Sequence, residues 1–195
     1  ARPHQAIDSI WVASRVISGL QEAIGRRLDA LNPVVISFGK IEGGRAFNVI
    51  ADRVKLLGTV RYLDLSLHSW LPSWIDETVE KICKSLGAKV EVRYSSIAPP
   101  VNNDLQLTEL LETSSISILG KENVLSLKQP SLGAEDFAEF LQKVKGCMFR
   151  LGVAGDSGCA PLHNGQFCPD ERSISVGIQV LMSVILKWMN ENKKL

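Results

Sequence analysis

Val34-Val-Ile-Ser-Phe-Gly-Lys-Ile41, the turn Glu42-Gly-Gly44, and Arg53-Val-Lys-Leu-Leu-Gly-Thr-Val-Arg-Tyr-Leu63 decide how the first half of this chain folds. Both runs are short, rich in β-branched and aromatic residues and bounded by turn formers, which predicts two strands. In the second run Val54, Leu56, Gly58, Val60 and Tyr62 share one face. Upstream, Ile10, Ala13, Ile17, Leu20, Ile24 and Leu28 recur at helical spacing within residues 6–28. That face is wide enough to cover a sheet. Downstream, Leu71, Ile75, Val79, Ile82 and Leu86 repeat the pattern over 69–86, with Pro72 expected in the first turn and Gly87 as the stop. Lys89-Val-Glu-Val-Arg-Tyr-Ser95 alternates, so it reads as a strand with one wet face. Helix, strand, strand, helix, strand becomes a ferredoxin-like βαββαβ arrangement if one strand precedes Ala1.

Ala98-Pro-Pro100 with Asn102-Asn-Asp104 combines proline stiffness with turn formers and marks the boundary between domains expected at 1–99 and 100–195. Beyond it the pattern predicts a helix over 104–119, a short strand over 124–127 and a helix over 134–144. A strand over 147–153 and a last helix over 170–189 follow. Alternating helices and strands imply part of a mainly parallel sheet whose other strands lie elsewhere. The chain shows no internal repeat or low-complexity tract.

With 195 residues and 45% hydrophobic content, the chain can bury one good core or two small ones. Its 22 basic and 21 acidic residues give a net charge of +1, no electrostatic basis for nucleic-acid binding. Arg26-Arg27, the densest basic cluster, falls at a helix end where cations suit the dipole. No apolar run reaches the roughly eighteen residues of a membrane span, so no membrane partner is expected. The four cysteines, Cys83, Cys147, Cys159 and Cys168, lack CxxC spacing. Cys83 and Cys147 read as small buried hydrophobes. Cys159 and Cys168 flank His163, which leaves a metal site or a disulfide open without requiring either.

His163 is one of three histidines, and Pro161, Asn164, Gly165 and Pro169 deny it a helix or a central strand. An imidazole on a loop between a strand and a helix can serve as a metal ligand or general base, or simply sit on the surface. Glu135-Asp136 offers acid–base chemistry, although carboxylates at a helix start are favoured as caps. Asn48 and Arg61 could together clamp a carboxylate, with Arg supplying a bidentate fork. They also suit a turn and a solvated strand face. His68 has no motif around it and reads as a surface residue at a helix start.

Gly133-Ala-Glu-Asp-Phe137 followed by Pro161-Leu-His-Asn-Gly-Gln-Phe167 resembles the metal-dependent amidohydrolase and carboxypeptidase family that includes hippurate hydrolase, N-acyl-amino-acid amidohydrolases and auxin-conjugate hydrolases. Ala1-Arg-Pro-His4 with Ala6-Ile-Asp8, then Gly43-Gly-Arg-Ala-Phe-Asn-Val-Ile-Ala-Asp52, then Gly58-Thr-Val-Arg61 match in order. The resemblance spans essentially the whole chain. It implies an α/β fold: a ferredoxin-like α+β lid, which dimerises, followed by the C-terminal part of an α/β metallohydrolase catalytic domain. It assigns His163 to metal binding and Asn48 with Arg61 to the substrate carboxylate, commonly across a dimer. Gly133 would line the active-site wall, and His4 is the second histidine of its motif, a supporting group at most.

The same resemblance places the general base, the lid histidine and the family's Cys-x-His and Glu-Glu ligands upstream of Ala1. The chain is therefore expected to be part of a longer enzyme and inactive alone. The implied cofactors are divalent Mn, Zn, Co or Ni, since ligand type more than spacing sets the preference. The implied reaction is hydrolysis of amide bonds in small N-acyl or peptidyl amino acids, by a homodimer in the cytoplasm. A non-catalytic, dimerising ferredoxin-like module is the alternative.

Overall fold

The computed structural model describes residues 2–94 and 98–192. In chain order the elements are α1 (Ser9–Arg27), β1 (Val34–Gly43), β2 (Val54–Tyr62), α2 (Leu67–Ser85), α3 (Leu105–Leu119), α4 (Phe137–Leu141) and α5 (Arg172–Glu191). Single 3-10 turns occupy Pro3–Gln5 and Lys121–Asn123. The fold is mixed α/β. It divides into two compact units, Ala1–Pro100 with Pro130–Asp136, and Val101–Gln129 with Phe137–Leu195.

In the first unit the Asp8 carboxylate accepts from the main-chain N–H groups of Ile10 (3.0 Å) and Trp11 (3.2 Å), which starts α1. Val12, Val16 and Leu20 on α1 pack with Ile36 of β1 and with Ile75, Val79 and Cys83 of α2. The Gln21 side-chain amide donates to the Ile36 carbonyl at 2.7 Å and ties helix to strand. β1 and β2 form an antiparallel hairpin, from Val34 opposite Tyr62 to Gly43 opposite Val54. Between Phe38 and Lys40 the register shifts, leaving Gly39 as a bulge. Helix α2 ends at Gly87, φ +74°, where the Ala88 N–H donates to the Cys83 carbonyl at 2.9 Å and the Gly87 N–H to Lys84 at 3.1 Å. This is the left-handed stop expected from the sequence.

Position 58, opposite Phe38, is crowded for any side chain. A Cβ there would stand 2.5 Å from the Ser37 carbonyl oxygen and 3.1 Å from Phe38 Cδ1. The nearer obstacle is backbone, which cannot swing aside. We expect Gly58→Ala to cost about 1–3 kcal/mol, read as a fall of several degrees in the melting temperature. Gly39→Ala, with nothing within 4 Å of the added carbon, should be close to neutral. Equal melting temperatures for the two variants would refute this account of the hairpin.

Three details of this unit depart from expectation. Helix α2 begins at Leu67, so Pro72 lies inside the helix and not in its first turn. Its ring removes the donor that the His68 carbonyl would otherwise meet. Residues 89–94 form no ladder, and the sheet has two strands, β1 and β2. Ser95 lies outside the described residues. The alternation still has a structural cause: Val92 packs against the core, and the Tyr94 hydroxyl donates to the Pro72 carbonyl at 3.0 Å. A strand requires a hydrogen-bonded neighbour, and none of the described residues supplies one here. Of the three lid strands expected within this chain, β1 and β2 form and the third does not among the described residues.

In the second unit Asp104 caps α3, accepting from the Leu107 N–H at 3.1 Å while its own N–H donates to the Gly146 carbonyl at 2.9 Å. The Leu107 N–H, and after it Lys145, hold this carboxyl below its ordinary range. Helix α3 packs on α5. The interior is built from small residues, with Ser114, Ala138 and Val180 fully or almost fully buried.

Strands expected over 124–127 and 147–153 do not form ladders, and the helix expected over 134–144 contracts to α4. Asn103 substitutes for a strand partner: its side chain donates to the Met148 carbonyl (2.8 Å) and accepts from the Met148 N–H (2.9 Å). The Val153 carbonyl accepts from the Asp170 N–H at 2.8 Å.

The 20 residues of α5 are, by length and composition, long and apolar enough to cross a membrane, contrary to the expectation that no segment would be. Ser173, Ser175, Gln179 and Ser183 interrupt the apolar sequence. Val180 is buried, whereas Ile174, Ile178, Leu181, Ile185 and Trp188 form an exposed stripe at helical spacing.

Candidate functional site

His163 lies in the second unit at the third position of a turn in which the Asn164 N–H donates to the Pro161 carbonyl at 3.2 Å. Its φ is +66°, the one positive value at a non-glycine residue among the described residues. A side chain in the left-handed region costs about 1–2 kcal/mol over an ordinary conformation, and such strain gathers at functional positions. The turn is braced from its far side. The Asn164 side-chain oxygen accepts from the Gln166 N–H at 2.8 Å, and its carbonyl accepts from the Phe167 N–H at 3.0 Å. The imidazole itself is exposed. Downstream, Asp170 accepts from the Arg172 guanidinium Nε at 2.8 Å, and that ion-paired hydrogen bond holds the carboxyl below its ordinary value.

Arg61 sits on β2 in the first unit, half-buried, and one guanidinium N–H donates to the Leu132 carbonyl at 3.3 Å. Sequence reasoning missed this contact, since nothing local connects residues 71 positions apart. It places the Ser131-Leu-Gly-Ala stretch beside the hairpin and leaves other donors of the planar fork free for a ligand. The Ser131 hydroxyl accepts from the Gly133 N–H at 3.0 Å, a turn that presents Gly133 next to this contact. Glu135 and Asp136 are exposed immediately before α4, in keeping with carboxylates favoured at a helix start.

Asn48 occupies the loop between Gly43 and Val54, at the other end of the hairpin from Arg61. The loop is held by an Arg45–Asp52 ion pair at 3.0 Å, by the Ser9 N–H donating to Ala51, and by a turn from Val49 to Ala46. Asn48 is exposed. Arg61 pairs with Val35 and lies seven residues along β2 from Val54, a rise of about 23 Å at 3.3 Å per residue. The structure therefore brings Arg61 to Leu132 and does not bring it to Asn48.

The other two histidines lie in the first unit. His4 is exposed in the Pro3–Gln5 turn. His68 is half-buried, its Nδ1 2.6 Å from the Tyr62 hydroxyl, so it pins the end of β2 to the start of α2 and is not the free surface residue expected. Among the described residues no three His, Cys, Asp or Glu side chains gather as a metal-binding cluster. A centre with several protein ligands does not fit these residues alone, and His163 offers one donor.

The profile of peptidase family M20/M25/M40 matches residues 12–187. The chain belongs to this family. It is 48% identical over 193 residues to a protein named probable hydrolase from Synechocystis sp., covering 97% of the chain and 49% of that protein. It is 35% identical over 191 residues to the N-acetyldiaminopimelate deacetylase of Bacillus pumilus, covering 98% of the chain and 50% of the relative. Among solved structures, the Bacillus subtilis YxeP protein, described as a dinuclear metal binding peptidase from the M20 family, superimposes with a TM-score of 0.73 at 28% identity. That match covers 94% of this chain and 47% of YxeP. The chain spans about half the length of the curated relatives it matches.

Proposed function

We propose that this chain contributes the lid and the C-terminal part of the catalytic domain to a metal-dependent hydrolase that cleaves amide bonds in N-acyl or peptidyl amino acids. The observation that carries the proposal is the family match over residues 12–187, with the His163 loop inside it. Names of the relatives, a deacetylase and a dinuclear metal binding peptidase, support the reaction class and a two-metal centre, and we assign it divalent ions of the Mn, Zn, Co or Ni type. The family match weighs against the non-catalytic module.

In this reading His163 is one ligand of a centre whose other ligands lie outside the described cluster-free surface. Metal at such a centre supplies an activated water and charge stabilisation for amide hydrolysis. The residues of this chain hold the substrate. Arg61, already anchored on Leu132, directs its remaining N–H groups at the carboxylate, and Asn48 donates its side-chain amide. Because the two lie at opposite ends of one hairpin, one carboxylate meets both only when they come from two copies, which supports a homodimer through the lid. A ferredoxin-like lid follows if a further polypeptide segment pairs with the hairpin and with residues 89–94. The exposed stripe on α5 suits burial against the remainder of a catalytic domain better than a bilayer. A cytoplasmic location accords with this reading.

Purified alone, the 195-residue chain should not hydrolyse N-acetyl or N-benzoyl amino acids, with or without added Mn or Zn. Initial-rate assays of amino acid release check this. Metal-dependent turnover by the chain alone would show that the site has been assigned to the wrong residues.

A further inference from the structure

We infer that Cys159 and Cys168 form a reversible dithiol–disulfide site at the neck of the loop that carries His163. The Cys159 thiol donates to the main-chain carbonyl oxygen of Cys168 at 3.2 Å, so the residue that accepts the first sulfur also carries the second. Both thiols are free; Cys168 is exposed and Cys159 half-buried. The intervening residues are folded back by the two turns through Asn164, and the Asp170 N–H donating to the Val153 carbonyl at 2.8 Å joins the two arms of the loop. With one sulfur already against the main chain of the other cysteine, little chain entropy is left to lose on closing a loop between residues nine positions apart. The remaining cysteines differ: Cys83 is 3% exposed inside the core, and Cys147 is packed against Thr108.

The chemistry is exchange with a small disulfide of the oxidised-glutathione class. The exposed Cys168 thiolate attacks one sulfur of that disulfide, and the other half leaves with the electron pair as a thiolate. The Cys159 thiolate then attacks the Cys168 sulfur of the mixed disulfide and expels the second thiolate. Two protein thiols lose two electrons and two protons, and one small disulfide becomes two thiols. A solvent-accessible bridge of this kind is returned to the dithiol by excess small thiol, so the site is reversible. Closure ties the neck and restricts the backbone around His163. The inference does not depend on metal binding by that histidine.

The test uses the 195-residue chain treated with oxidised glutathione, alkylated without reduction and digested with chymotrypsin, which cuts after Leu162 and Phe167. Titratable thiols in denaturant should fall from four to two, and the Cys159 and Cys168 peptides should appear joined, lighter by two hydrogens than their sum. Amide exchange in residues 160–167 should slow and recover on adding dithiothreitol. Cys168→Ser, which starts with three thiols, should retain two and carry one glutathione adduct on Cys159, with no bridge. Separate glutathione adducts on both cysteines of the unsubstituted chain, or a bridge from either one to Cys83, Cys147 or a second molecule, would overturn the inference.

Discussion

Replacing His163 with alanine in a family-length protein that contains this chain should remove bound metal and lower turnover of N-acyl amino acids by more than about a hundredfold. A hundredfold is the upper range for disturbing only the partners of a metal ligand, and loss of the ligand itself should exceed it. The fold should survive, because the imidazole is exposed and supports no packing. The left-handed backbone adds a second signature. Compared in metal-stripped protein, His163→Gly relieves the strain at φ +66° and should melt above the parent, while with metal present it should lose the ion as the alanine variant does. A residue kept for structure would lower the melting temperature of the metal-stripped protein as well. Metal analysis by plasma mass spectrometry and calorimetry on the two variants separate these cases. Unchanged metal content with full turnover would remove His163 from the site.

Arg61→Ala should reduce kcat/KM for substrates with a free carboxylate by roughly ten- to over a hundredfold, the equivalent of about 1.5–3 kcal/mol for a lost charge-assisted contact. Amidated or esterified analogues should lose much less, and metal content should not move. The 3.3 Å bond from Arg61 to the Leu132 carbonyl makes a control necessary, since alanine also frees the 130–136 stretch. Arg61→Lys retains a cation without the planar fork, so it should restore stability better than it restores discrimination between acids and esters. Equal losses on charged and neutral substrates would mean that Arg61 serves the Leu132 contact alone.

Much of the first unit was legible because its signals are local. The apolar periodicity of α1 and α2, the Gly87 stop and the two hairpin strands each depend on residues a few positions apart. The helix expected over 104–119 was legible for the same reason, since α3 spans Leu105–Leu119. The segments 89–94, 124–127 and 147–153 carry strand-like composition without ladders, because pairing depends on a neighbour that composition cannot name. At 147–153 an asparagine side chain takes the place of that neighbour, a substitution no periodicity announces.

The site divides in the same way. Turn formers around His163 announced the turn but not which residue would take the left-handed position. The clamp expected from Asn48 and Arg61 rested on the family resemblance, with both residues placed on or beside one hairpin. The register places them at the two ends of that hairpin. The Arg61 contact with Leu132 joins two stretches that no local pattern connects.

Joining residues 1–195 to the uncovered half of the Synechocystis relative, 48% identical to this chain, gives the most direct test of the hydrolase reading. The measurement is the rate of amino acid release from a panel of N-acyl amino acids and dipeptides, before and after chelation and after return of Mn or Zn. The account predicts turnover that disappears with chelator, returns with metal and is lost in the His163→Ala version. A folded, metal-loaded fusion that hydrolyses none of the panel, or one whose rate ignores both chelator and His163→Ala, would contradict it.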